Sequence, residues 1–302
     1  MLHYEEIERA AHTPAQFIKE AEDAYTQELT GFVDELMAHH DHRRHVVALS
    51  GPSGSGKTTS ASRIGEILTE RGVKAALLSL DDFYLGKNKA PLLPDGSFDF
   101  ETVRALDLPL LHDCIEALLG EGRAMIPRFD FKTGAPAPER VEMVLGEGDV
   151  VIVEGIHAMN PQLVEALSTD RLTRLYISIE QSIMTPDGEL TGRDLRLIRR
   201  LTRDFIHRNS SPENTLSMWV GVVHGEENYL FPYKDTADYT LNSIHAYEPC
   251  LFREVFVGHM NSVTPDSKWY AQATTLRDRM AGFTAIDRAL VPENSIMREF
   301  ID

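Results

Sequence analysis

Cysteine is scarce in this chain. Only Cys114 and Cys250 occur in 302 residues, far apart and without metal-ligand spacing, which excludes a disulfide-stapled scaffold and a thiolate zinc module. Two free thiols in a reducing compartment is the reading that follows. Long apolar runs are missing as well, and none approaches the ~18 residues that a membrane span requires. The opening Met1-Leu2-His3-Tyr4-Glu5-Glu6 is acidic and lacks the apolar core of a signal peptide, so a cytoplasmic location is expected. Basic residues are outnumbered, Lys plus Arg totalling 30 against 47 Asp plus Glu, for a net charge of -17. So acidic a surface repels nucleic acid and anionic membranes, and neither is expected as a partner. Any phosphate site must gather its positive charge locally.

What remains is ordinary globular material, 42% hydrophobic and 25% charged, long enough for one large α/β domain with appendages. Phe17, Ala21, Tyr25, Leu29, Phe32 and Leu36 recur at spacings of three and four and predict a helix over 14–38. Thr13-Pro14 supplies its cap and first-turn proline. A polar stretch, 39–44, follows. From there strands and helices alternate. Strands are expected at 45–50, 74–80, 149–154, 172–179 and 239–242, and helices at 57–71, 108–119, 194–208 and 212–225. Residues 86–100 read as a loop, and 125–131 with 140–144 as a projecting hairpin. The tail from about 247 reads mostly helical. Such alternation predicts a parallel sheet covered on both faces. The expected divisions are an N-terminal helical extension (1–44), a central domain (45–245) and a helical extension packed on it (246–302).

Gly51-Pro52-Ser53-Gly54-Ser55-Gly56-Lys57-Thr58 matches the phosphate-loop pattern G-x-x-x-x-G-K-[ST], with an apolar strand before it and a helical pattern after it. Glycines let several N–H groups converge on one point at a helix N-terminus, which makes an anion nest. Lys57 would reach the outer phosphates and the Thr58 hydroxyl would ligate Mg²⁺. The fold expected is therefore a P-loop NTPase. Glu154 ends the buried strand Val150-Val151-Ile152-Val153 at the sheet edge where ligands bind, and is the metal-side acid. Asp81-Asp82 ends another strand. A kinase acting on a hydroxyl wants a carboxylate to take or orient that proton, and Asp81 is the candidate, with Asp82 as the adjacent alternative. Arg193, Arg196, Arg199, Arg200, Arg203 and Arg208 crowd one segment of an acidic protein. Positions 196, 199, 200 and 203 share a helical face, which could close over a triphosphate. His39, His40, His42 and His45 bridge a helix end and a strand start and read as a connection. Trp219, Phe231 and Tyr233 read as core.

With these residues in place the chain resembles the uridine kinase and phosphoribulokinase family of P-loop kinases, from about 45 to 253. The resemblance implies ATP and Mg²⁺ as cofactors. It places Gly51, Ser53, Gly54, Ser55, Gly56, Lys57, Thr58 and Thr59 around the phosphates, with Arg199, Arg203 and Arg208 closing from the lid. Asp81, Lys57 and Arg203 are the catalytic residues it implies, and Thr58, Glu154 and Asp81 the metal side. On the acceptor side it implies Asp81, Tyr84, Asp99 as the holder of ribose hydroxyls, Arg128, Phe129 over the acceptor, and Arg200 at its sugar. The segment 291–301 is similar to the ending of a longer bacterial branch, whose additional N-terminal half is not matched by the residues that precede the core here.

Two departures bear on the acceptor. A His shortly after the hairpin Phe and an Arg just past the lid read the pyrimidine edge in uridine–cytidine kinases, and the matching positions here hold Gly134 and Ser210. The expected activity is phosphorylation of a primary hydroxyl on a small sugar-containing acceptor, with the 5′-hydroxyl of a nucleoside such as uridine as the leading case. Sugars, sugar phosphates or pantothenate-like alcohols are the rivals, Lys87, Lys89, Arg104, Arg128 and Lys132 being available cations. A regulatory P-loop ATPase acting on a protein partner is the rival from another class. Self-association into a homo-oligomer is left open.

Overall fold

The computed structural model describes residues 1–302 except 87–88, 93–95, 97, 166 and 168. A two-residue strand, β1 (Leu2–His3), leads into α1 (Tyr4–Ala11) and α2 (Pro14–Ala38). Pro14 sits in the first turn of α2, where its missing N–H would have no helical partner anyway. β2 (His45–Ser50) feeds the glycine loop and α3 (Lys57–Glu70), and β3 (Ala75–Ser79) ends in the 3-10 turn Leu80–Phe83. After α4 (Leu108–Gly120) come four short strands, β4 (Arg123–Ile126), β5 (Phe129–Asp130), β6 (Ala135–Pro136) and β7 (Val141–Val144). The buried β8 (Val150–Glu154), α5 (Pro161–Val164) and β9 (Leu172–Ser178) follow. Next are β10 (Ile183–Thr185) and β11 (Gly188–Leu190), a hairpin that pairs with β1. The rest is mainly helical: α6 (Gly192–Arg208), α7 (Pro212–Tyr229), then β12 (Tyr239–Asn242), α8 (Glu248–Met260), α9 (Tyr270–Ala281) and α10 (Arg298–Ile301).

Five strands form one sheet in the order β12-β9-β2-β8-β3, every neighbouring pair parallel. Strand periodicity divides its residues between two cores. Val47, Leu49, Val150, Ile152, Leu175 and Ile177 face α2, α3, α6 and α8. Val46, Ala48, Val151, Val153 and Tyr176 face α4 and the 3-10 turn. Both faces being covered, β8 reads as an unbroken apolar run. The chain is thus an α/β P-loop fold. The carboxyl ends of β2, β3 and β8 bring the glycine loop, Asp81 and Glu154 to one edge.

Three features differ from the sequence expectation. The expected hairpin splits into two ladders, β4 with β7 and β5 with β6. Helix α7 runs through Gly225 to Tyr229 instead of stopping there. A Cβ at Gly225 would lie 2.6 Å from that of Glu101, so this glycine admits a close neighbour and does not end the helix. The β1–β10–β11 sheet was not anticipated, its strands being too short to leave an alternation. Part of the expected loop over 86–100, with the cation Lys87, lies outside the described residues.

A buried acid ties the flanking segments to the sheet. Glu22 on α2 accepts from Tyr247 Oη (2.7 Å) and Ser295 Oγ and pairs with Arg63 of α3 and with His245 at 3.4 Å each. Burial alone would raise its carboxyl, but bonds from His245, Ser295 and Tyr247 outweigh that and hold it at about 2.

Candidate active site

The glycine loop has the backbone that its sequence demands. Gly54 and Gly56 adopt φ of 76° and 82°, a region that side chains disfavour. A Cβ at Gly51 would stand 2.2 Å from the Ile177 carbonyl oxygen. Ser53, Gly54, Gly56, Lys57 and Thr58 line a cleft of ≈ 290 Å³ at the N-terminus of α3, where backbone N–H groups favour an anion. Lys57 Nζ donates to the Pro52 carbonyl at 3.0 Å. Gly51 and Ser55 are buried behind this surface, the Ser55 hydroxyl without a partner. Thr59 lies outside the cleft lining and its hydroxyl donates to Glu299 at 3.4 Å.

Acids stand opposite. Glu154 is 7% exposed and accepts from Ser79 Oγ at 2.6 Å. Asp81, in the 3-10 turn after β3, opens into the cleft yet is crowded by protein. That crowding, and then the charge of Glu154, push its carboxyl up to about 6. The charge of Glu154 against the Asp81 carboxyl, beside the exposed Thr58, makes a place that a cation would relieve. Among the described residues no group of three or more His, Cys, Asp or Glu side chains could hold a metal alone. Such a donor set fits Mg²⁺, which keeps water and phosphate oxygens in its shell. Asp82 turns the other way. It pairs with Arg128 Nη1 at 2.7 Å and accepts from the Phe129 N–H at 3.1 Å. It therefore anchors β5, and Arg128, expected at the acceptor, lines neither cavity.

Helix α6 supplies the cations, though not all of those expected. Asp204, fully buried, collects Arg203 and Arg208 at 3.2 Å and Arg200 at 3.5 Å, and these three arginines line the cleft. Arg199 does not. It is fully buried, pairs with Glu248 at 2.7 Å and donates to the carbonyls of Gly54 and Ser243. Its place in the expected lid is corrected accordingly, because its charge is spent bracing the loop from behind. Arg196, also buried, makes two bonds to Glu226 of α7, at 2.7 and 2.9 Å, and one to the Ser53 carbonyl. Glu226 in turn accepts from the Ser53 N–H at 2.9 Å.

On the acceptor side Asp99 does not line the cleft, and its neighbour Glu101 does. Asp99 accepts from Tyr229 Oη (2.9 Å) and from the Glu101 N–H (3.1 Å), whereas Glu101 lines the cleft. Burial above all, with Glu226, Asp99 and Asp81 adding and Arg200 opposing, pushes the Glu101 carboxyl up to about 7. Tyr84 lines this cleft and also a second cavity of ≈ 260 Å³, walled by Gly86, Phe100, Ala105, Phe129, Phe131 and Gly134. Its rings adjoin, Tyr84 to Phe129 at 5.7 Å and Phe129 to Phe131 at 5.1 Å. Ser210 lines neither cavity. It bonds with Thr215 and Asn214 in a groove beside His259.

Glu101, Glu226 and Glu299 were not anticipated. Phe98-Asp99-Phe100-Glu101 holds the same aromatic–acid pair twice, and only folding selects the second. Glu226 could have been found four residues after Val222, which shares its helical face and the cleft.

Comparison with known proteins agrees with this geometry. A family model described as the phosphoribulokinase / uridine kinase family matches residues 46–248. A uridine kinase of Mycoplasma genitalium is 33% identical over 183 residues, covering 61% of this chain and 77% of that protein. One of Halobacterium salinarum is 28% identical over 193 residues, covering 64% and 77%. The structure of a D-glycerate 3-kinase from Cryptococcus neoformans superposes with a TM-score of 0.50 at 21% identity, over 67% of this chain and 87% of that one, and shows the shared fold. The glycine loop, the strand-end acids and the arginine helix all fall inside the matched span, and the chain belongs to the phosphoribulokinase / uridine kinase family.

Proposed function

We propose that this kinase passes the γ-phosphate of ATP to a primary hydroxyl of a nucleoside, the 5′-hydroxyl of uridine being the leading case. One observation carries the acceptor class: the aromatic cavity of Tyr84, Phe100, Phe129 and Phe131 shares Tyr84 with the phosphate cleft that Asp81 lines. A flat ring stacks between such faces while the attached sugar reaches toward Asp81 and Glu101. No Lys or Arg lines that cavity among the described residues, and Arg128 is paired with Asp82, which disfavours a phosphorylated acceptor.

The roles follow from position. Asp81 orients the hydroxyl and takes its proton, and a carboxyl poised at about 6 suits that exchange near neutral pH. Glu101, poised at about 7, can give or accept a hydrogen bond to a sugar hydroxyl. Lys57, Arg203 and Arg208 offset charge on the transferring phosphoryl group, and Arg200 reaches from the lid toward the sugar. Thr58 and Glu154, with Asp81 beside them, would hold Mg²⁺. Mg²⁺, when bound, neutralises the donor phosphates.

A coupled ADP-release screen over nucleosides and small sugars with Mg-ATP tests the reading. Turnover is expected with nucleosides. Turnover confined to a non-nucleoside alcohol would move the acceptor class, and ATP hydrolysis indifferent to every small alcohol would favour a regulatory ATPase.

A further inference from the structure

The segment after α9 reaches the phosphate cleft, and the proposed function leaves it without a role. Its backbone is firmly seated. Ile296, Met297 and Phe300 are fully buried, and Ile296 Cδ1 lies 3.2 Å from where a Cβ on Gly56 would be. The Phe300 ring faces the Arg199 guanidinium at 5.4 Å, and Ser295 bonds to the buried Glu22. From this base α10 presents one ionisable side chain to the cleft, that of Glu299.

Glu299 has two partners there, the Thr59 hydroxyl at 3.4 Å and Arg203 Nη1 at 3.8 Å. The other edge of the same guanidinium, Nε and Nη2, is held by Asp204. Asp204 therefore sets the plane of Arg203, and Nη1 is the end left to face the cleft. A donor phosphate and the Glu299 carboxylate compete for that end. Both are anions, so they also repel across the same few ångströms.

We propose that Glu299 is a positioning residue of the donor site, an internal anion that holds Arg203 until donor phosphates displace it. The inference rests on the donor-site reading above. It sets how tightly nucleotide is held, and hence how readily ADP leaves after transfer. Removing the charge leaves Arg203 free beforehand and removes the repulsion.

The test is nucleotide affinity, by calorimetry with Mg-ADP and with a non-hydrolysable Mg-ATP analogue, for the full chain and for Glu299→Gln. The variant should bind both about three- to tenfold more tightly, the scale of a partly exposed ion pair plus a relieved repulsion. The gain should shrink between 50 and 300 mM salt, on the order of a halved Debye length. In an Arg203→Gln background the gain from Glu299→Gln should be clearly smaller, since the competed group is gone and only the relieved repulsion remains. Glu293→Gln, on the exposed side of the same segment, should change nothing. Unchanged affinity in Glu299→Gln would overturn the proposal in favour of a packing role. Weaker binding would overturn it in favour of a direct donor ligand. An equal gain in the Arg203→Gln background would exclude the route through Arg203. If the parent chain binds neither nucleotide, the donor-site reading itself fails, a result separate from these.

Discussion

Five carboxylates (Asp81, Glu101, Glu154, Glu226, Glu299) and four cations (Lys57, Arg200, Arg203, Arg208) line the phosphate cleft, while the cavity beside it is walled by rings and glycines. The supports differ as much as the walls. Behind the cleft stand Arg196, Arg199 and Asp204, nearly or fully buried, and with Glu226 they cross-bond α6, α7, α8 and the glycine loop. The aromatic cavity hangs on two-residue strands, and Phe131 and Phe100 are 64% and 40% exposed. A phosphoryl group needs charges aimed before it arrives, because reorganising them costs rate. A stacked ring needs only a face, so thin supports suffice. The phosphate cleft is held by the core and the aromatic cavity by the rim.

Asp81→Asn is expected to have the largest effect, lowering kcat about a thousandfold, within the range for a lost general base. A kcat within about threefold of the parent would remove Asp81 from that role and leave the cleft without a base. The parent should also show the titration of this group. Its carboxyl is raised to about 6 without metal and acts ionised; Mg²⁺ beside it favours the ionised form, so kcat/KM with Mg-ATP should hold through neutral pH and fall about tenfold per unit only below a pH under 6. Arg196→Met probes the buried support. It strands Glu226 as an unpaired charge and should cost about 3–5 kcal/mol in urea unfolding. A loss under about 1 kcal/mol, typical of surface pairs, would mean the donor side is no more rigidly built than the rim. Phe129→Ala should be milder and one-sided, raising the acceptor KM about tenfold, in line with 1–3 kcal/mol for a stacked base, with the ATP KM unchanged. A rise in both would join the two cavities into one unit.

Much of the donor side was legible because its constraints are local. The glycine loop needs consecutive residues with particular backbone freedom, and the strand leading into it announces itself by an apolar run. Glu154 follows from the same logic, at the end of β8. What stayed hidden depends on which way a side chain turns after the sheet is assembled. Arg199 and Arg203 sit one helical turn apart with the same chemistry, yet one points behind the glycine loop and the other into the cleft. Asp99 and Glu101 repeat one aromatic–acid pair, and Tyr229, from a helix more than a hundred residues away, claims the first. Glu299 had no motif at all. Its relevance comes from Ile296 and Phe300 packing against the glycine loop and Arg199, long-range contacts that no spacing rule encodes.

The first core carries a practical consequence. Ile7, Leu29 and Phe32, the sheet residues Val47 and Ile152, and Phe252, Ile296 and Phe300 belong to one continuous apolar cluster, pinned at Glu22. The family match stops at 248 and starts at 46, but the apolar cluster crosses both limits. A chain trimmed to them would keep every residue of the glycine loop and lose the interior that presses it into shape, turning dry contacts into two wet, adhesive faces.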